Sequence, residues 1–82
     1  MSSKEQSIVL ATVNRRMPGR GVTRRSLTAS GSAWQDAERP DRAVTFVAVG
    51  EGWCRATVRT GGRREEFALR DVSDARMFLG LL

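Results

Sequence analysis

Arginine dominates the chemistry available to this sequence, and its spacing is uneven. Arg15, Arg16, Arg20, Arg24 and Arg25 fall within eleven positions that hold no acid. A guanidinium grips phosphate or carboxylate through two parallel hydrogen bonds, and the glycines of Pro18-Gly19-Arg20-Gly21 let a backbone approach a ligand closely. The stretch has the makings of an arm that tracks nucleic-acid phosphates or an acidic protein surface. A solvated loop has the same composition, because thirteen of the fourteen basic residues are Arg, a bias that GC-rich coding produces without selection for binding.

A second group lies further along, where Trp53, Arg55, Arg59, Arg64 and Arg70 alternate with apolar residues. On a strand, alternate side chains share a face, so these residues would form a cationic surface with one aromatic, chemically akin to sheets that stack bases and hold a phosphate backbone. The ordinary alternative is a cross-strand cation–π pair between Trp53 and Arg70, with Glu66 partly neutralising Arg55 and Arg59. One aromatic is a thin stacking platform.

Most catalytic parts are missing. The sequence has no His, no Tyr and a single Cys, which removes imidazole triads, Cys/His zinc sites and the Cys/His nucleophile pair. Arg24, Arg25 and Ser26 lack a general base to make them a nuclease. Cys54 alternates with Ala56 and Val58 and reads as a small core residue. Glu65 and Glu66 point to opposite faces of a strand, and Asp74 belongs to a helix first turn, so no metal site is expected. No enzyme activity, cofactor or small-molecule substrate is expected either.

These residues need elements to hold them. Eighty-two residues allow one domain, 1–82, with a modest core, and 1–6 read as a flexible lead. The hydrophobic share is 40% and the charged share 28%, which suits a globular chain better than a disordered one. The net charge of +5 sits at the front: the basic minus acidic count is +5 over residues 1–32, −1 over 33–50 and +1 over 51–82. The polar start and the short apolar run Ile8 to Ala11 resemble neither an export signal nor a membrane span, and a lone Cys suits a reducing compartment, so a cytoplasmic, unexported protein is expected.

Residues 43–71 read as a three-stranded antiparallel meander: an apolar β-branched run at 43–49, alternation at 53–59, and a return after Gly61-Gly62. A two-residue turn there, of type I′ with both glycines at positive φ, pairs Thr60 with Arg63, Val58 with Glu65, Ala56 with Phe67 and Cys54 with Leu69. The connection through Gly50-Glu51-Gly52 fits two or three loop residues, and the two choices swap which side of 43–49 points inward. Both sides of that strand are largely apolar, so either both are covered or one is an interface.

Ser73 is the expected N-cap of a short C-terminal helix that packs Phe78 on the sheet. Ser32 and Gln35 have capping-box spacing before Pro40, which predicts another short helix at about 33–38 anchored by Trp34. Residues 7–16 carry a helical stripe of Val9, Leu10, Val13 and Met17 after a Ser3 to Gln6 capping spacing. Their β-branched content favours a strand, the preferred expectation, returning as a second strand at 22–29 with the basic cluster at the intervening loop. The fold expected is α+β: a three- to five-stranded antiparallel sheet covered by one or two short helices.

The function expected is a non-enzymatic small basic binding protein that acts through arginines on nucleic acid or a nucleoprotein complex. The alternative is an inhibitor or adaptor of the phage or mobile-element kind, docking on a protein partner such as a nucleic-acid-processing complex. Its sticky patch, from strand 43–49, Trp34 and Phe78 to Leu82, would serve that partner or a homodimer.

Overall fold

The period-2 pattern between Trp53 and Leu69 is the strongest local signal in the chain, and the sheet is built outward from it. The computed structural model describes residues 8–50 and 52–82; the 1–6 lead and the Ser3 to Gln6 spacing lie outside these. Strands β4 (Trp53–Thr60) and β5 (Arg63–Leu69) pair in the expected register, Thr60 with Arg63 through Cys54 with Leu69. The turn differs in one respect. Only Gly61 takes a positive φ, of 62°, whereas a type I′ turn needs it at both central residues.

Strand β3 (Arg42–Val49) pairs Val49 with Trp53, leaving three residues in the connection. That choice sends Val44 and Phe46 into the core and turns Thr45, Val47 and Val49 to the other face. Strand β2 (Gly31–Asp36) occupies the segment expected to be a helix at 33–38. Its alternation explains why: Ser32 and Trp34 are buried while Ala33 and Gln35 are not, which is a period of two rather than 3.6. Pairing with β3, from Gly31 opposite Val47 to Gln35 opposite Ala43, outweighs the capping-box spacing. Gly31 also admits no side chain, since a Cβ there would stand 2.5 Å from the Phe46 carbonyl oxygen.

Strand β1 (Val22–Thr28) completes an antiparallel meander in the order β1-β2-β3-β4-β5, with an irregularity at Arg25. The strand expected over 7–16 is instead helix α1 (Ile8–Arg16). Burial of one stripe decides it, because Val9, Leu10, Val13 and Met17 are all inside, and tertiary packing overrides the modest strand preference of β-branched residues. Thr12 adapts by donating its hydroxyl to the Ile8 carbonyl at 2.8 Å.

Helix α2 (Val72–Leu81) is capped two residues before the expected Ser73. Asp71 is the N-cap: its Oδ1 accepts from the Asp74 N–H at 2.8 Å, while Asp74 Oδ2 accepts from the Arg70 N–H at 3.0 Å. Between them the two aspartates satisfy the Asp74 and Arg70 N–H groups, and the negative charge favours the helix N-terminus.

Both helices lie on one face of the sheet, α1 against β3 and β4, α2 against β5 and α1. The fold is α+β, five strands and two short helices. Phe78 reaches from α2 to Phe46, edge to face with centroids 5.7 Å apart, and to Phe67 at 5.1 Å. One polar chain crosses the core. The Trp34 indole N–H donates to Ser32 Oγ at 3.0 Å, and the Ser32 hydroxyl donates to Asn14 Oδ1, joining β2 to α1. Past the helices, Asp36 closes the loop before β3: its Oδ1 accepts from the Glu38 and Arg39 N–H groups, and its Oδ2 pairs with Arg42 at 3.1 Å.

Two outcomes follow from these ties. Ser32→Ala leaves the buried Trp34 N–H without its acceptor, and urea titration should show a loss of about 1–3 kcal/mol. Asp36 is held below its ordinary value of 3.8, chiefly by the Glu38 N–H, which burial opposes, and to a lesser degree by the Arg39 N–H and Arg42. A lowered folded-state pKa stabilises above 3.8 and loses that contribution as pH falls through the folded value. Asp36→Ala should therefore melt below the wild type at neutral pH, and the gap should close as the pH drops below 3.8.

Candidate functional site

Because directly opposed residues share a face, the strand register determines what the sheet presents on the side away from the helices. One row crosses it as Thr23, Gln35, Ala43, Arg59 and Arg64; the next as Ser26, Ala33, Thr45, Thr57 and Glu66; a third as Thr28, Gly31, Val47, Arg55 and Ala68. No described element covers these rows. The middle of the face is small and hydroxylated, Val47 stands 45% exposed within it, and arginines stand over β4 and β5.

Arg59 stands directly opposite Arg64. Like charges in that position repel, and Glu66 relieves only part of it, its carboxylate lying 3.8 Å from Arg64 with both side chains well exposed. Arg59, Arg63 and Arg64 line a shallow cleft of about 410 Å³ at the Gly61-Gly62 turn. Trp53 holds the opposite end of β4, its ring 6.0 Å from the Arg70 guanidinium carbon, so the expected cation–π pair is present. The pair occupies the one aromatic on this face, which makes Trp53 a brace for Arg70 before it is a stacking platform.

The acid-free run at the front does not form one cluster. Arg15 and Arg16 close the last turn of α1, on the helix layer, where positive charge suits the helix C-terminus. Arg20 is the member of the run in the loop between α1 and β1, and it is engaged: Nε donates to the Arg16 carbonyl and Nη1 to the Leu79 carbonyl, both at 3.1 Å. One guanidinium thus caps the ends of both helices. Arg24 stands opposite Trp34, on the helix side of β1, and Arg25 sits at the strand irregularity. The nine expected site residues are therefore divided. Arg55, Arg59, Arg64 and Trp53 share the open face, while Arg15, Arg16 and Arg24 belong to the other side.

Cys54 is fully buried, and desolvation pushes its thiol up to about 11, far from a nucleophile at neutral pH. Thr45, Thr57 and Ser26, absent from the arginine-based reading, supply hydroxyls across the face. Reading 33–38 as a helix hid the place of Ser26 among them, because β2 is the strand that extends the platform from β3 to β1.

Compared with known proteins, the chain matches no family model, no curated protein and no solved structure. Its site is read from its own residues. If Arg20 is structural, Arg20→Ala should lower the melting temperature by several degrees while leaving any anion binding by the sheet face intact, and a thermal melt beside a binding titration separates the two.

Proposed function

We propose that this protein is a non-enzymatic binding module that takes nucleic acid across the uncovered face of its sheet. The observation that carries the reading is the Arg59 and Arg64 pair: two cations held opposite each other on adjacent strands, on a face that no described helix covers. Such a pair works against the free protein and is relieved by an anion that bridges it. Arg55, four residues from Arg59 on the same strand and face, continues the charge towards Val47. A phosphate backbone supplies anions at regular intervals along a line, which a row of exposed guanidiniums can follow.

Thr45 and Thr57, opposite each other, add hydroxyl donors to phosphate or sugar. Nothing on the face offers a string of aromatics, so affinity comes from the backbone rather than from bases, and sequence preference should be low. Arg24 and Arg25 at the edge and Arg15 and Arg16 on the helix layer act at longer range, by raising the local potential. A second reading, docking on the acidic surface of a protein, is favoured by the exposure of Val47, an apolar contact beside Arg55.

Fluorescence anisotropy with single-stranded and duplex oligonucleotides over a salt series tests the proposal. Binding at low salt should weaken as salt rises, with a slope of about −0.7 to −0.9 per phosphate neutralised. Arg59→Ala with Arg64→Ala should weaken binding at least about tenfold and flatten the slope by about two, one per contact removed. The pair Arg15→Ala and Arg16→Ala should change it less. No binding at low salt, or equal losses from the two pairs, rejects the open face as the site.

A further inference from the structure

The two edges of the sheet are chemically unlike, and only one of them complements itself. β1 carries Arg24 and Arg25 with no acid, and its pairing is irregular at Arg25, so two copies meeting edge to edge there would bring like charges together on a distorted strand. β5 is the other edge, with β4 as its one neighbour in the sheet, and it reads Arg63-Arg64-Glu65-Glu66-Phe67. Antiparallel pairing reverses one copy relative to the other, and opposed residues share a face, so an arginine of one copy can stand opposite the glutamate two places further along in the other, twice by symmetry. Charges on an edge strand usually discourage pairing, but in this order they let bases face acids, on the open face when Arg64 opposes Glu66.

We infer that β5 is a self-association edge, through which two copies of this chain join their sheets into one ten-stranded antiparallel sheet about a two-fold axis. The register sets Arg64 opposite Glu66 of the second copy, twice by symmetry, on the open face. On the helix face Arg63 stands opposite Phe67 of the second copy. Glu65 meets its own counterpart there, with Arg63 of each copy diagonal to it.

The helix layer supports the same occupant. α2 packs over β5 through Phe67 and Phe78, so in the joined sheet the two α2 helices come side by side across the axis. Met77 and Leu81, four residues apart and 69% and 73% exposed, are the most exposed apolar residues of α2. They line, with Phe67 and Leu69, a groove of about 380 Å³ between the helix and the edge strand. A second copy brings the same two side chains to the same place, as an isologous contact requires. Its joined sheet extends the open face, with Arg55 and Arg59 repeated on either side of the axis.

Sedimentation equilibrium on the full chain, freed of nucleic acid, tests this independently of any ligand. The wild type should give twice the chain mass of 9.1 kDa. Arg64→Glu alone sets acids against acids across the axis, and Glu66→Arg alone sets bases against bases. Each should raise the dimer dissociation constant at least about tenfold at unchanged circular dichroism. Mixing the two variants should restore a dimer, since one chain then brings two acids and the other two bases. Met77→Lys should also give monomer, and Glu65→Gln should tighten the dimer. A monomeric wild type at every concentration, a dimer indifferent to both charge reversals, or failure of the mixture to associate would each overturn the interface.

Discussion

A five-stranded sheet has two faces to shield from water, and the described residues supply helices of nine and ten residues with which to do it. Both helices lie on the same face, and most other features answer to that imbalance. The covered side receives Val44, Phe46, Cys54, Ala56 and Leu69 from the strands and Val13, Met17, Phe78 and Leu79 from the helix layer. The other side must be tolerable in water, so it carries threonines, alanines and arginines. Val47 and Val49, on the strand that is apolar on both sides, and Trp53, which braces Arg70, depart from that pattern.

A core this small depends on a few specific ties. Helices under three turns long are marginal without packing, and each is fastened by polar contacts as well as by burial. Asn14 holds α1 to β2 through Ser32, which also satisfies the Trp34 indole. Arg20 joins the C-terminal turns of both helices. Asp71 and Asp74 define where α2 begins. Arg20, Asp71 and Asp74 bind backbone groups at helix ends, whereas on the open face Arg64 has only a long, exposed ion pair with Glu66.

The open face and the free β5 edge are consequences of the same architecture. A meander leaves its first and last strands unpaired on one side, and one-sided cover leaves half the sheet wet. A sheet that ends in a strand of two bases and two acids, beside a helix with Met77 and Leu81 exposed, has the parts to extend itself. Extension would enlarge the cationic face without adding to the chain.

The local pattern was readable wherever short-range rules dominate. The β4–β5 register follows from the spacing about Gly61-Gly62, the burial of Cys54 from its alternation with Ala56, and the Trp53 and Arg70 contact from the register. The segment at 32–36 was misread because Ser32, Trp34 and Gln35 satisfy a helix-capping spacing, and the alternation that overrules it becomes visible only when β3 supplies a partner strand. The segment at 8–16 carried both a helical stripe and a strand composition, and propensities worth a few tenths of a kcal/mol cannot choose between them. By itself, then, the sequence determined the hairpin, the charge and the absence of His and Tyr, since these depend on neighbours in the chain. The tertiary structure decided which arginines are bound up in the fold and which stand free, because each sits where strands and helices distant in sequence bring, or fail to bring, an acceptor within 3 Å or so.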